Sequence, residues 1–341
     1  MENRVREMFD EVRASDELRM EVLQMSNQEN RNRGRRRLRA AGLVAAVLAA
    51  VLATSALAVA ASPTLRDWFA RQWGERTGGE ISEGQAVVIE SLTQEVGQSA
   101  ADNGVTVTVD SITVGSDSLW ALLEVEGWEF DREGQYTFGA MDVGISPDPS
   151  EGEYGGAGYS VRSIGLTEDG NCRMLLEYTS TISTGNQLTD GGYALEILLE
   201  DLCRHRSGEG EEILCPGTWT FSIPLTVESL SATVTMEGPV TVAGELLEGD
   251  ADEWEYKEVT LRDLTLTATG LSFLADSNGV GNLWATAILS DGTEVRSTGS
   301  SGSLRSDDTW YCSHQWPVPI DVADVIALRI GDTEIPLDRG T

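Results

Sequence analysis

The chain has 341 residues, which is enough for two or three domains at about 100–200 residues each. Its formal net charge of −32 is uneven, because the first 40 residues hold ten arginines against eight acidic residues and the remainder therefore carries −34. Such an acidic excess repels nucleic acid and anionic lipid headgroups, so we expect no direct nucleic-acid partner.

Residues 1–30 are predicted to form two short helices that share an apolar face. The break between them lies at Ala14-Ser15, where Ser15 is a suitable N-cap. Apolar residues recur at helical spacing on both sides of that break: Val5, Met8, Phe9, Val12, Leu18 and Val22. About 30 residues cannot bury such a face by themselves. We expect it to bind a cytoplasmic protein, the membrane surface or a second copy of the chain; the alternative is a disordered or weakly helical tail.

Residues 31–39 form a basic stop, and residues 40–61 form a predicted transmembrane helix. These 22 uncharged residues would extend about 33 Å, against a hydrocarbon core of roughly 30 Å. Arginine is enriched before the span, with Arg36, Arg37 and Arg39 predicted at the membrane interface, so the N-terminus is expected in the cytoplasm. Cleavage after Ala58-Val59-Ala60 is the alternative, although a signal peptide has a short basic leader rather than 39 residues with eight acids.

Residues 62–80 are predicted to form a juxtamembrane interfacial helix and linker. Ser62 can cap this helix and Pro63 suits its first position. Its apolar residues share one face: Leu65, Trp68, Phe69 and Trp73. Trp68 and Trp73 are candidate anchors at headgroup depth. The alternative is that this face packs onto the folded part beyond it.

From residue 81 onward, short β-rich runs alternate with Gly, Asp, Asn and Ser turns. This texture predicts a mainly β fold with two tandem β-sandwiches of immunoglobulin-like type, at residues 81–228 and 229–341. The two sets echo one another, because Leu119-Trp120-Ala121 and Leu283-Trp284-Ala285 each follow a pair of Val/Thr/Leu runs. We interpret the echo as two sandwiches of related design.

The cysteines and histidines offer little chemistry. The four cysteines, Cys172, Cys203, Cys215 and Cys312, allow three pairings. Cys203 and Cys215 flank a polar loop that a disulfide would close, and free thiols fit equally well. No C-x-x-C pair occurs, and His205 and His314 are the two histidines, so a zinc site is not expected. We predict a charged, solvated loop for His205 and an aromatic cluster for His314.

Catalytic and nucleotide-binding motifs are absent from the sequence. The chain has no nucleophile elbow, phosphate-binding loop, dinucleotide fingerprint or HExxH. We therefore predict neither enzymatic activity nor a cofactor.

Several segments resemble a known family. They are the leader MFDEVRASDELRMEVLQM, the arginine-rich stop, the single span followed by ASP, GQSAADNGVTVTVDSITVGSDSLWALLEVEG, and the ending VIALRIGDTEIPL. Together they resemble the membrane-anchored bacterial proteins grouped as domain of unknown function 4179, common in Gram-positive bacteria. The resemblance implies an anti-sigma factor whose cytoplasmic leader binds an extracytoplasmic-function sigma factor. The leader lacks His and Cys, so it is not the zinc-binding type of anti-sigma domain.

The resulting prediction is a single-pass signalling protein of the cell membrane. Its leader would bind a sigma factor through the apolar face, and its extracellular β-rich part would sense an unknown ligand or cell-wall component. The alternative is a cell-surface binding or adhesion module with a non-signalling cytoplasmic stub.

Overall fold

The computed structural model describes residues 63–148, 157–180, 188–206, 210–226, 233–236, 238–248, 253–276, 283–305 and 307–337. The leader with its predicted binding face, the basic stop with Arg36, Arg37 and Arg39, and the predicted span at 40–61 lie outside these residues. Among the residues described, no helix is both long enough and apolar enough to cross a membrane.

Two α-helices begin the described part: α1 (Pro63–Thr77) and α2 (Glu83–Ser91). Helix α1 begins with the proline predicted for its first position, where the missing N–H costs nothing. It ends at Gly78, which has a positive φ of 73° and donates its amide to the Gly74 carbonyl at 2.9 Å. Ser82 caps α2 by accepting the Gln85 amide at 3.0 Å. The helix predicted within residues 62–80 is confirmed.

Strands β1–β8 form two antiparallel sheets, which we call the first half (residues 93–226). The five-stranded sheet has the order β1-β2-β3-β6-β5 and the three-stranded sheet has the order β4-β7-β8. The strands are β1 (Thr93–Asp102), β2 (Val105–Val114), β3 (Ser118–Glu126), β4 (Gln135–Ser146), β5 (Ala157–Leu166), β6 (Cys172–Ser180), β7 (Ala194–Arg206) and β8 (Gly210–Pro224). A short 3₁₀-helix, η1 (Leu188–Asp190), precedes β7.

The two sheets of the first half are joined along both edges. At the β1–β8 edge, Trp219 donates its indole N–H to the Val105 carbonyl at 3.1 Å and Asn103 donates its amide to the Pro216 carbonyl at 2.8 Å. At the β4–β5 edge, the Tyr136 amide donates to Ser163 Oγ at 3.1 Å. These bonds connect the two sheets, and the bond to Ser163 also occupies an amide of the edge strand β4 that would otherwise be open to strand addition.

Strands β9–β18 form two further antiparallel sheets, the second half (residues 233–337). One sheet has the order β10-β11-β12-β16-β15 with β9 paired to β11, and the other has the order β14-β13-β17-β18. The strands are β9 (Val234–Met236), β10 (Val240–Glu248), β11 (Glu253–Leu266), β12 (Gly270–Ala275), β13 (Ala285–Leu289), β14 (Glu294–Arg296), β15 (Gly299–Leu304), β16 (Trp310–Gln315), β17 (Val325–Ile330) and β18 (Thr333–Pro336). The 3₁₀-helix η2 (Val322–Asp324) precedes β17. The mainly β prediction is confirmed.

The two halves repeat one strand order, since β10-β11-β12-β16-β15 corresponds to β1-β2-β3-β6-β5 and β13-β17-β18 to β4-β7-β8, but the two Trp-containing triplets do not lie on corresponding strands. Trp120 lies inside β3, which pairs with β2 in one sheet, and its side chain is 2 % exposed. Trp284 instead precedes β13, which belongs to a different sheet from β11, and it is 50 % exposed. Leu119-Trp120-Ala121 and Leu283-Trp284-Ala285 are therefore not equivalent positions, because short apolar runs of this kind recur in any half-buried strand.

Candidate functional site

Helix α1 packs its apolar face onto the five-stranded sheet. Four side chains of that face are buried: Leu65, Trp68, Phe69 and Trp73. The Phe69 ring meets the Trp120 ring of β3 edge to face, with centroids 5.5 Å apart. The guanidinium of Arg162, from β5, lies over the Trp68 ring at 5.8 Å. Helix α1 is thus part of the same apolar core as the sheet.

The residues of β3 explain why the sheet needs this cover. Six consecutive positions of the strand, from Ser118 to Leu123, are buried. Since successive side chains of a strand point to opposite faces, the sheet must be covered on both. Trp120 and Leu122 share the face that meets α1, and Leu122 is paired with another buried leucine, Leu175 of β6.

The structure corrects the prediction that Trp68 and Trp73 anchor the chain at the membrane surface. Their side chains are only 4 % and 5 % exposed within the protein, so they are not available to lipid headgroups. The alternative interpretation, packing onto the folded part, is the one that the structure has. The reason is the apolar outer face of β3, which offers an indole more contact area than a hydrated interface does.

Helix α2 connects α1 to the second half. The Gln85 side chain is 3 % exposed and donates its Nε2 hydrogen to the Pro319 carbonyl at 2.8 Å. Gly84 lies so close to the Asp321 carboxylate that a Cβ at this position would overlap it. A buried amide hydrogen bond of this kind is costly to break without a replacement partner.

The turn between β2 and β3 makes a second contact between the halves. It lies against the turn between β11 and β12, and a Cβ at Gly115 would come within 2.5 Å of Thr269 Oγ1. The Ser116 amide donates to Thr269 Oγ1 at 3.2 Å, and the Ser116 and Thr267 hydroxyls lie 3.3 Å apart. We call this contact region the joint: α2, residues 115–117, residues 267–269, Ser313 and residues 319–321.

A buried acid lies at the centre of the joint. Asp117 is 7 % exposed, and its carboxylate accepts a hydrogen bond from the Ser313 hydroxyl of β16. Burial raises the pKa of Asp117 to about 6, against the lowering effect of hydrogen bonds from the Ser313 and Ser116 hydroxyls. The pKa of Tyr311 is raised to about 12, first by burial and next by the charge of Asp117.

The two histidines lie apart from the joint's carboxylate. His314 is fully buried and its ring stacks on Phe273 with centroids 5.6 Å apart, so the predicted aromatic cluster is confirmed. Burial lowers the pKa of His314 to about 4, which keeps the ring neutral at ordinary pH. His205 is exposed, but it lies on β7 rather than in a loop, because the strand continues to Arg206. It lines an open surface pocket with Arg204 and residues 131–135.

Of the two alternatives for Cys203 and Cys215, the structure has the free thiols, because all four cysteines are buried and unpaired. The two residues lie on paired strands but contact different neighbours. Cys203 Sγ lies against Gly139 of β4, whereas Cys215 Sγ is 3.8 Å from the Asn103 carbonyl oxygen. Burial raises the pKa of both thiols. In the part of the chain that is described, no group of three His, Cys, Asp or Glu side chains could hold a metal ion.

Comparison with known proteins finds a family model that matches part of the chain. Residues 32–127 match the model described as Domain of unknown function (DUF4179). A solved structure titled "The crystal structure of the conserved domain protein from Bacillus anthracis" is similar at 13 % identity over 70 % of this chain and 77 % of that chain, with a TM-score of 0.40. No curated protein matches. The match confirms the resemblance found in the sequence over residues 32–127, from the arginine-rich stop to one residue past β3.

Proposed function

We propose that the chain is a single-pass membrane signalling protein of the anti-sigma type. Its cytoplasmic leader sequesters an extracytoplasmic-function sigma factor, and its extracellular β-rich part senses a cue. The observation that carries the proposal is the burial of α1 in the core of the first half. The predicted span ends at residue 61 and α1 begins at Pro63, so the chain passes from the span into the folded core within two residues.

The extent of the family match supports this arrangement. It begins in the arginine-rich stop and ends directly after β3. It therefore includes the predicted span, α1 and the strand whose Trp120 contacts Phe69 of α1. The matched residues thus contain both the predicted span and three of the five strands of the sheet onto which the next helix packs.

The joint supplies a route by which the second half affects α1. Gln85 of α2 bonds to Pro319 in the second half, and α2 follows α1 after only five residues. If the joint exists in two arrangements in equilibrium, a ligand shifts that equilibrium only by the difference between its affinities for the two. We therefore expect the cue to bind more tightly to one arrangement of the joint than to the other.

Capture of the sigma factor tests the proposal. Each extracytoplasmic-function sigma factor of the host is co-expressed with the tagged full-length chain, and complexes are purified from solubilised membranes. Phe9→Asp and Val12→Asp add charge to the predicted binding face, so we expect each to reduce capture at least tenfold. Asn3→Asp, on the opposite side of the predicted helix, is the matched control. The proposal is wrong if no sigma factor is captured, or if both face variants capture as much as the control.

A second candidate function is a surface binding module. Two exposed aromatic side chains favour it, Trp284 at 50 % and Tyr256 at 62 % exposure, since such rings offer area for stacking against a ligand. This function predicts that deletion of residues 2–30 changes no transcription, while binding to isolated cell walls persists. It also predicts that Trp284→Ala weakens that binding, which the signalling proposal does not require.

A further inference from the structure

The joint surrounds one carboxylate with neutral groups. Asp117 lies in the turn of the first half, and its nearest polar partners are hydroxyls from both halves. Ser313 donates to it from β16, and Ser116 Oγ lies 3.5 Å from its other oxygen. Its backbone carbonyl accepts the Ser180 amide of β6 at 2.8 Å, so the acid is held in place by its own half as well.

The titratable groups on the packed elements carry no compensating positive charge. Tyr311 on β16 is neutral at ordinary pH, since its pKa is raised to about 12. Tyr178 lies on β6, two residues before Ser180, and burial raises its pKa as well. His314 follows Ser313, but its ring stacks on Phe273 on the opposite face of the sheet and burial keeps it neutral. The Asp117 pKa is set by burial and hydrogen bonds, and no charged group of the described residues contributes.

Ionisation of such a group opposes the contact that buries it. A buried charge without an opposite charge costs several kcal/mol unless water can reach it. Water can reach Asp117 if the turn at 115–117 separates from Thr269 and Ser313. The neutral acid, in contrast, fits the hydroxyl-lined contact without that cost.

We propose that Asp117 makes the joint sensitive to external protons: the protonated acid keeps the two halves in contact, and its ionisation loosens them. The inference deepens the proposed function by naming the class of cue, and its meaning as a signal depends on that function. The contact itself is testable without any sigma factor. A failure here therefore leaves the sigma-capture result standing, and the converse also holds.

Linkage gives the size of the effect. The acid titrates near pH 6 when buried and has an ordinary value of 3.8 when exposed. The equilibrium constant for opening the joint should then rise by about tenfold between pH 5.0 and pH 7.5. The direction is that acid closes the joint and neutral pH loosens it.

Hydrogen exchange followed by mass spectrometry tests this on the full-length chain in detergent, with rates corrected for the intrinsic effect of pH. Peptides covering 113–119 and 265–271 report the joint, and peptides of β7 report the rest of the fold. In the wild-type chain we expect the opening constant at the joint to rise about tenfold from pH 5.0 to 7.5. Asp117→Asn keeps the shape without the charge and should abolish that rise.

Two further variants complete the test. Ser313→Ala removes a hydroxyl that lowers the Asp117 pKa, so the rise should continue to a higher pH. Asp169→Asn changes an exposed acid in the β5–β6 turn and should behave like the wild type. The inference is overturned if the wild-type joint shows no pH dependence, or if Asp117→Asn retains the wild-type dependence.

Discussion

The aromatic residues of α1 and Trp284 of the second half differ in burial for a reason found in the neighbouring strands. Trp68 and Phe69 are buried on the five-stranded sheet, whereas Trp284 is half exposed before β13. Strand β3 is buried at six consecutive positions, while β13 alternates buried and intermediate positions. A strand buried on both faces requires a second layer, and an alternating strand does not. The continuous apolar run of β3 is therefore what recruits α1.

The largest effect is expected from a substitution at the centre of the packing between α1 and the five-stranded sheet. Phe69→Ala removes a fully buried ring that contacts Trp120. Such substitutions typically lower the free energy of unfolding by about 3–5 kcal/mol, and we expect a loss in that range. The free energy of unfolding of the full-length chain, from urea titration, measures the loss. A cost below about 1 kcal/mol would mean that α1 is not a true layer of the core.

The second effect concerns the buried acid of the joint. The pKa of Asp117 is raised from 3.8 to about 6, so its contribution to stability is fully present below about pH 3.8 and is lost as the pH rises through 6. Asp117→Asn has no carboxyl group to ionise at this position, so its stability does not fall in this way as the pH rises. The stability of the variant relative to wild type should grow by roughly 3 kcal/mol from pH 3.5 to pH 7.5, at about 1.36 kcal/mol per pKa unit. Urea titrations of both chains across that range measure the difference, and a constant difference contradicts the assignment.

The third prediction is the counterpart of the first. Trp284→Ala removes a larger side chain than Phe69→Ala does, but one that is 50 % exposed and has the Arg296 guanidinium over its ring at 4.2 Å. An exposed cation–π contact contributes about 0.5–1 kcal/mol, so we expect a loss of about 1 kcal/mol. The same urea titration compares it with Phe69→Ala. Equal losses for the two variants would refute the contrast between the covered and the alternating strand.

The smallest effect sharpens the comparison by testing charge instead of packing. Arg66 of α1 and Glu90 of α2 form an ion pair at 3.0 Å, with both side chains 45 % exposed. Exposed pairs typically contribute about 0.2–1 kcal/mol and weaken with salt. Glu90→Gln should therefore cost about 0.5 kcal/mol or less at low salt and nothing measurable in 1 M NaCl. A larger, salt-independent loss would show that this pair rather than the aromatic face holds α1.

Local features of the fold were predictable from the sequence. Pro63 indicated the start of α1, and turn residues such as Asn103-Gly104 indicated breaks between strands. The structure places both turn residues at positive φ, 49° and 86°, as a tight two-residue hairpin turn requires. Alternating Val and Thr in β2 likewise predicted a strand. In each case, the determining interactions lie within a few residues of one another.

The features of the site depend on contacts between distant segments. The face of α1 was visible in the helical spacing, but its partner Trp120 lies 51 residues beyond Phe69. Asp117 lies among turn residues in the sequence, and its carboxylate is hydrogen-bonded by Ser313, which is 196 residues away. Similarly, the Cys203 Sγ lies against Gly139 of β4, 64 residues earlier in the chain. Sequence periodicity predicts which face is apolar and leaves open what covers it.

Hydrogen exchange of α1 in the full-length chain tests the central claim most directly. Because α1 is a layer of the core, its amides from Phe69 to Gly74 should be protected to a similar extent as those of β3. They should also lose that protection together with β3 in Phe69→Ala. The account is contradicted if the α1 amides exchange at the rate of an unstructured peptide while β3 remains protected.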